Sequence, residues 1–394
     1  MWCVWAPNRA PTPLLRVTDH PAEDSRSLGP YITRRLLQAI PVIFLITVVS
    51  FVLMMQAPGG PAAQFNANPR ITAEEVDKYL ARYCLERNPD PIGWLRTYGG
   101  WTGIWNCEDQ SFFSAQGMPN FLPQFMGGGD NGLLHGDLGV SIKTNRPVTD
   151  MIVERVPATL VLMGVAFVIW TSMAIVFGVF AAVKRYSLFD QGVTFMSYLF
   201  YSLPTFWLGL ILIYFFAVEL RWLPSQGIVD PREAPAAFNT PQYWAGFWAD
   251  PVPNIMDIGK HLILPVITLV AVSVAADTRY VRTSMLDALS QDFVRTARAK
   301  GLGRRRVVFR HAFRNAMLPI LTTMSLSIAF LFSGAVVTET IFSWPGMGRL
   351  YIQGVNDRDY FLLMGILLVS SMLVVIMNIV ADVLYAVADP RIRY

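Results

Sequence analysis

The ionisable and nucleophilic side chains of this sequence do not form a familiar catalytic pattern. The histidines, His20, His135, His261 and His311, are scattered, and there is no His-Glu-x-x-His pair to hold zinc. No serine stands in a Gly-x-Ser-x-Gly turn, and no Gly-x-x-x-x-Gly-Lys-Ser/Thr loop is present to cradle nucleotide phosphates. We therefore expect no catalytic residue, no metal site and no cofactor bound by this chain.

The cysteines, Cys3, Cys84 and Cys107, form neither a metal-like cluster nor a Cys-x-x-Cys pair. Cys84 and Cys107 share one hydrophilic segment, residues 58–156. A disulfide between them is one interpretation, and two unrelated free thiols are the other.

The densest group of charges lies in residues 277–315. Its cations are Arg279, Arg282, Arg295, Arg298, Lys300, Arg304, Arg305, Arg306, Arg310 and Arg314. Residues 284–300 contain good helix formers, and Gly301 stands where a helix would end. A short amphipathic helix, a glycine turn and a second basic helix would form a rigid knob on which a soluble motor can push. The alternative is a basic loop that only fixes orientation and contacts anionic lipid headgroups.

Two acidic residues near the ends of apolar segments have more than one interpretation. Asp277 either pairs with Arg279 or Arg282 or belongs to a substrate site. Glu339 either gates an opening or contacts a positively charged amino group, or it caps a helix or pairs with Arg349. The apolar segments are nearly free of ionisable residues, which disfavours an ion-coupled transporter or a proton pump.

Composition places much of the chain in a membrane. Hydrophobic residues make up 53% and charged residues only 15%, whereas soluble domains carry about 25% charged residues. Six segments approach the roughly 20 apolar residues that span a bilayer. They are residues 36–57, 158–183, 192–218, 262–276, 316–337 and 361–381. We therefore predict an all-α membrane protein with six transmembrane helices.

Basic residues predict the orientation of these helices, because short cytoplasmic loops are enriched in Lys and Arg. With the N-terminus inside, the inner segments are 1–34, 184–190, 277–315 and 388–394. The short outer loop 339–359 has only Arg349 and Arg358 as cations. Both termini are therefore predicted to be cytoplasmic.

The basic segment resembles the coupling motif of binding-protein-dependent importer permeases, a Glu-Ala-Ala…Gly…Leu-Pro pattern. Arg295-Thr296-Ala297 stands in place of Glu-Ala-Ala, Gly301 matches the glycine, and Leu318-Pro319 matches Leu-Pro. The acidic first residue is absent and the spacing after Gly301 is longer. Both departures are similar to those of the peptide and nickel permease subfamily.

The resemblance covers about residues 31–394, apart from an insertion near 100–130, and is strongest to the first permease of a dipeptide/oligopeptide pair. Further matching segments are residues 31–37, 58–62, 136–141, 146–148, 204–209, 339–350 and 389–394. The implied organisation is a polar cytoplasmic tail (1–30) followed by a permease domain (31–394). Within that domain lie a large extracytoplasmic loop (58–156) and a cytoplasmic coupling loop (277–315).

The resemblance implies a type I ABC importer transmembrane domain in the bacterial inner membrane, a non-catalytic subunit of an ATP-hydrolysing complex. Its expected partners are a second permease, two cytoplasmic ATPase domains that hold ATP and Mg, an extracytoplasmic substrate-binding protein and membrane lipid, with no nucleic acid. The expected cargo is di- or oligopeptides. A nickel chelate, glutathione or another small solute is the alternative, and an ion-coupled secondary transporter is a remote one.

The resemblance also implies two sets of site residues. The residues that would lie in an ATPase groove are Arg295, Thr296, Ala297, Arg298, Ala299, Lys300, Gly301 and Leu302. The residues that would contact the binding protein or gate the outer mouth are Glu339, Trp344, Pro345, Gly346 and Arg349.

Overall fold

A computed structural model describes most of the chain beyond residue 135. The described ranges are 28–56, 136–141, 143–232, 238–330 and 335–388, with a few positions between 72 and 112. Cys84 and Cys107 lie outside the described residues, as do nearly all of the tail and of the insertion near 100–130. The expectations for those segments stay predictions.

The regular secondary structure of the described residues is helical, apart from one small antiparallel ribbon, β1 (Trp105–Asn106) with β2 (Ser111–Phe112), and an isolated antiparallel bridge between Val140 and Pro147. In chain order, the first helices are α1 (Leu28–Gln56), α2 (Val148–Val183), α3 (Leu188–Ser202), α4 (Thr205–Leu212, continued by the π-helix Ile213–Glu219), α5 (Pro241–Ala249) and α6 (Pro251–Ser290). They are followed by α7 (Asp292–Ala299), α8 (Arg304–Arg306, continued by the π-helix Val307–Ala312), α9 (Phe313–Phe330), α10 (Val336–Ile341), α11 (Met347–Asp357) and α12 (Tyr360–Ala388).

Four described helices are long and apolar enough to cross a membrane, through the segments Thr33–Leu53, Val148–Val183, Pro251–Ser290 and Tyr360–Val380. The pair α3 and α4 gives a fifth span if the two are counted together. The segment predicted at 316–337 is α9 as far as Phe330, and residues 331–334 lie outside the described part.

The span predicted over 192–218 is not one straight helix, because α3 and the helix from Thr205 to Glu219 meet at an angle of 98°. Leu203 has an extended backbone (φ −80°, ψ 130°), and Pro204 follows with φ −61° and ψ 129°. Proline lacks a backbone N–H and disfavours the helical region for the residue before it. Pro204 therefore ends α3 and starts a new helix in another direction.

The segment predicted at 262–276 is the middle of a much longer helix. α6 has 40 residues, or about 60 Å, against a hydrocarbon thickness of about 30 Å. Two arginines in the C-terminal part of α6 contact side chains of α3. Arg282 forms a two-pronged ion pair with Asp190 at 2.6 and 2.8 Å, rather than pairing with Asp277, and the guanidinium of Arg279 lies over Tyr198 and Tyr201.

α2 and α6 pack closely against each other. Ala158, Leu162 and Ala166 of α2 are buried with Val266 and Val270 of α6. Further along the pair, a Cβ added to Gly178 would lie 2.6 Å from the Cβ of Val281. Small residues allow this approach, which gives helices in a bilayer their packing energy.

We predict that Gly178→Val destabilises the chain, because overpacking of a close contact costs about 1–3 kcal/mol. Gly164→Ala is the matched control within α2, since a Cβ there meets no atom within 4 Å. The thermal unfolding midpoint in detergent should fall for Gly178→Val and stay level or rise slightly for Gly164→Ala. Equal midpoints for Gly178→Val and the unaltered protein would contradict the close packing.

Candidate functional site

The basic segment contains a short amphipathic helix, α7, that packs against the rest of the fold. Val294 is fully buried and Ala297 is nearly so, and both join the core beneath the helix. Arg295, Thr296 and Arg298 point outward and are exposed. Because the apolar positions are three residues apart, one face of α7 is anchored and the other is free to contact a partner.

α7 begins later than the helix-forming residues suggest. The predicted helix over 284–300 is interrupted at Gln291, whose backbone is extended (φ −70°, ψ 154°). Ser290 just before it turns its hydroxyl back to donate to the Asp287 carbonyl at 2.7 Å. Such local side-chain bonds compete with helix continuation. The knob is therefore the separate helix α7, joined to α6 by a sharp corner.

α7 ends at the predicted glycine through a Schellman turn. Gly301 has φ +78°, a conformation that glycine adopts without the steric penalty of a Cβ. Its N–H donates to the Arg298 carbonyl at 2.9 Å, and the Leu302 N–H donates to the Ala297 carbonyl at 3.3 Å. Leu302 is half-buried and packs on the same core, as expected for this motif.

The core beneath α7 connects it to the membrane-spanning helices. Val281 and Met285 of α6, Val307 of the following π-helix and Val179 of α2 all belong to this cluster. Arg304 adds a polar tie, since its guanidinium donates to the Val183 carbonyl at 3.0 Å. A force applied to α7 therefore acts on α2, α6 and α9 together, because close-packed interiors transmit displacement.

In the structure, the predicted coupling residues lie together on α7 and the turn after it, and they differ in their solvent exposure. Ala297 faces the core and Leu302 is half-buried, whereas the remaining six are exposed. Arg295 forms a weak surface pair with Asp292 at 3.4 Å, which contributes little to stability. Beside the knob lies a groove of about 440 Å³, bordered by Tyr280, Asp287, Phe293 and Asn315 among others.

A second group of predicted site residues surrounds a buried carboxylate. Glu339 of α10 is fully buried. Its Oε1 accepts a hydrogen bond from the Thr159 hydroxyl at 3.0 Å, and its Oε2 accepts from the Arg349 backbone N–H at 3.1 Å. The Thr159 hydroxyl oxygen also accepts from the Met347 N–H at 2.7 Å. Burial raises the pKa of Glu339, and these donors oppose that rise.

This carboxylate caps α11 from outside the helix. The N-cap residue is Gly346, which has no side chain to satisfy the first N–H groups. A Cβ at Gly346 would overlap the Glu339 carboxylate and the Thr159 hydroxyl. The geometry fits the capping alternative for Glu339. It does not include an ion pair with the Arg349 guanidinium, which donates to the Ser343 carbonyl at 2.6 Å.

Trp344 holds the turn between α10 and α11. It is fully buried, its indole N–H donates to the Ala158 carbonyl at 2.8 Å, and its backbone N–H donates to the Glu339 carbonyl at 2.8 Å. Gly346 is also buried, whereas Pro345 and Arg349 are partly exposed. Contact of these residues with a binding protein stays a prediction.

Sequence reasoning did not find several residues that the fold brings to these sites. Thr159 is 180 positions away from Glu339, and no local pattern links them. Asp190 did carry a local signal, because it stands three residues after Ser187, whose side chain accepts from the Asp190 N–H, a helix-capping spacing. The buried bond from Ser141 to Asp359 at 2.5 Å likewise joins distant segments.

Several apolar helices of membrane-spanning length, with a basic knob packed on their ends, indicate a polytopic membrane protein. Residues 174–394 match the family model described as "Binding-protein-dependent transport system inner membrane component". The chain belongs to this family, and it is accordingly an inner-membrane component of an ABC transport system.

Relatives extend the similarity to nearly the whole chain. The chain is 37% identical to the oligopeptide transport system permease protein AppB of Bacillus subtilis, over 93% of this chain and 100% of that protein. It is 37% identical to the di/tripeptide transport system permease protein DppB of Pseudomonas aeruginosa, over 92% and 98% respectively. It is 35% identical to the dipeptide transport system permease protein DppB of Escherichia coli K12, over the same shares.

We predict that Glu339→Ala destabilises the chain by about 2–3 kcal/mol, because hydrogen bonds to a buried charged group are lost and their donors stay unsatisfied. Glu339→Gln should be intermediate, since an amide keeps one acceptor oxygen. Asp287→Ala, at an exposed acid of α6, is the control and should change stability by less than about 0.5 kcal/mol. The thermal unfolding midpoints in detergent rank the stabilities of these variants. If Glu339→Ala has the same midpoint as the unaltered protein, the capping role is rejected.

Proposed function

We propose that this chain is one of two permease subunits of an ATP-driven importer for di- or oligopeptides and forms half of its translocation path. The observation that carries the proposal is the near full-length similarity to permeases of oligopeptide, di/tripeptide and dipeptide transport systems. The names of these relatives favour peptides over a nickel chelate or glutathione. In this proposal the chain itself is not catalytic, and ATP and Mg are bound by separate ATPase subunits.

The anchored knob supplies the mechanical part of the proposal. Residues 295–302 lie in a groove of a cytoplasmic ATPase domain, with Arg295 and Arg298 facing that partner. ATP binding draws the two ATPase domains, and with them the two knobs, towards each other. Because Val294, Ala297 and Leu302 share one core with the ends of α2 and α6, the movement reaches the membrane helices without being lost in a flexible loop.

The proposed topology has six spans with both termini in the cytoplasm. The bent pair α3 and α4 is the third span, and α9 with the residues after it is the fifth. This topology is supported by the exposed cations of α7 and α8, because inner loops are enriched in Lys and Arg. It places the start of α2 and the cluster around Glu339 outside.

At the outer face the binding protein docks and releases its peptide. Of the five residues predicted there, Pro345 and Arg349 are partly exposed and are the proposed points of contact. Glu339, Trp344 and Gly346 are buried, and their role is to hold the turn that presents the other two.

We predict that Gly301→Val lowers the amount of peptide transported per ATP hydrolysed, because a β-branched residue at φ +78° distorts the end of α7. Gly303→Val is the matched control, since Gly303 has φ −60°. A Cβ meets no atom within 4 Å at either position, so the two variants differ in backbone strain. The measurement is the ratio of uptake to ATP hydrolysis in proteoliposomes that contain the assembled complex.

A selective loss of coupling in Gly301→Val supports the role of the knob, provided that the complex assembles in normal yield. An unchanged ratio in Gly301→Val would reject it. An equal fall in Gly303→Val would show that the effect is not specific to the conformation of Gly301.

For the topology, we predict that single cysteines at Arg305 and at Trp248, introduced into a variant without Cys3, Cys84 and Cys107, are labelled from opposite sides. Both positions are exposed in the structure. A membrane-impermeant maleimide should label Trp248→Cys in intact spheroplasts and Arg305→Cys only after lysis. Labelling of Arg305→Cys in intact spheroplasts would reverse the proposed orientation.

A further inference from the structure

The C-terminal part of α6 has a polar face that is open to its surroundings. Residues that recur every three or four positions lie on one side of a helix. On this side the residues are exposed or half-buried, and they are Ala276, Arg279, Tyr280, Thr283 and Asp287. Only the alanine among them is apolar.

The neighbouring helix α2 exposes hydrocarbon in the same stretch. The two helices are level here, because a Cβ on Gly178 would contact Thr278 and Val281 of α6. Exposed side chains of α2 near this level are Val176 and Phe180. Unsatisfied polar groups are costly against lipid chains, so the polar face of α6 lies against water or another polar surface.

A groove of about 440 Å³ continues this face towards the knob. Tyr280, Thr283 and Asp287 border it from α6, and Asn315 and Pro319 border it from α9. The Tyr280 hydroxyl donates to the Pro319 carbonyl at 3.2 Å, which joins the two walls. Water therefore reaches the polar face from the side of the knob.

Arg279 lies on this face beyond the groove, further from the knob. Its Nε donates to the Ala275 carbonyl at 3.3 Å, so the side chain turns back along the helix, away from α7. The guanidinium lies 4.6 Å from the ring centroid of Tyr201 and 5.0 Å from that of Tyr198. These two rings of α3 hold the cation in place without neutralising its charge.

Arg279 has no carboxylate partner among the described residues. The predicted pair with Asp277 is not formed, since residues two apart point about 200° away from each other around a helix. Asp190 is taken by Arg282 at 2.6 Å. The rings of Tyr198 and Tyr201 are 58% and 57% exposed, so the cation lies at an open surface.

We propose that Arg279, held by Tyr198 and Tyr201, binds the C-terminal carboxylate of a peptide that passes along this face of α6. The guanidinium fork matches the two oxygens of a carboxylate with parallel hydrogen bonds. A free C-terminus is also common to peptides of different sequence. The site rests on the proposed function, because it requires a peptide cargo and a path along this chain.

The first test asks whether water reaches the face, and it does not depend on the cargo. Single cysteines replace Ala276, about one turn before Arg279, and Val176, an exposed apolar residue of α2 near the same level. The variants lack Cys3, Cys84 and Cys107. In open membranes that contain the assembled complex without nucleotide, a sulfonated methanethiosulfonate should label Ala276→Cys much faster than Val176→Cys. Failure to label Ala276→Cys would overturn the site and fit a face covered by another subunit.

The second test compares trialanine with its C-terminal amide. The assembled complex is reconstituted in proteoliposomes, and the binding protein is supplied fully loaded with either peptide, so that differences arise in the membrane complex. Arg279→Gln should lower the ratio of acid uptake to amide uptake about tenfold relative to the unaltered protein, because charged hydrogen bonds to the carboxylate are lost.

Two further variants separate the fork from the charge. Arg279→Lys keeps the charge without the fork and should lower the ratio less. It also serves as the second variant if Arg279→Gln assembles poorly. Arg185→Gln is the matched control, since Arg185 likewise lies over a tyrosine ring, 4.5 Å from the centroid of Tyr186, but in the short connection between α2 and α3. It should leave the ratio unchanged.

An equal loss of acid and amide uptake in Arg279→Gln would overturn the carboxylate site and would fit a role in packing α6 against α3. An unchanged ratio would overturn it as well. A wild-type complex that moves neither peptide would instead reject the proposed peptide function, whereas the labelling of Ala276→Cys would still report on the exposure of the face.

Discussion

The contact between α2 and α6 is the interaction on which the rest of the structure depends. Gly178 lies so close to Val281 that a methyl group would not fit between them, and Ala158, Leu162 and Ala166 keep the approach close further along. In a bilayer, lipid chains are as apolar as the side chains, so helices associate through close packing rather than through exclusion of water. Small residues on α2 are therefore the condition for a stable α2–α6 pair.

The same helix connects both candidate sites. Thr159 of α2 supports the cluster around Glu339, and Val179 of α2 belongs to the core beneath α7. Twenty residues of α-helix separate them, which is about 30 Å, close to the thickness of the hydrocarbon region. A rigid helix of this length joins the basic knob and the turn at Trp344 into one mechanical unit. Neither site needs a separate relay through the membrane.

The sequence predicted well those features that depend on local composition. Apolar length marked four spans, and the glycine at 301 marked the end of α7, because a positive φ favours glycine. It did not give the size of the bend at Pro204, and it missed the break at Gln291, where helix-forming neighbours hide the end of α6. It also failed for contacts between distant segments, such as Thr159 with Glu339 or Asp190 with Arg282. A single sequence has no local pattern that brings such residues together.

The breaks in the helices let the chain change direction between packed elements. α6 and α7 meet at an extended Gln291, and α3 and α4 meet at Leu203 and Pro204. Such positions absorb changes in φ and ψ that a continuous helix cannot accept. The ion pair between Asp190 and Arg282 joins the start of α3 to α6, so α3 follows the α2–α6 unit, whereas α4 lies beyond the bend. α4 also contacts α6, so the corner at Pro204 lets both α3 and α4 pack on the α2–α6 unit in different directions.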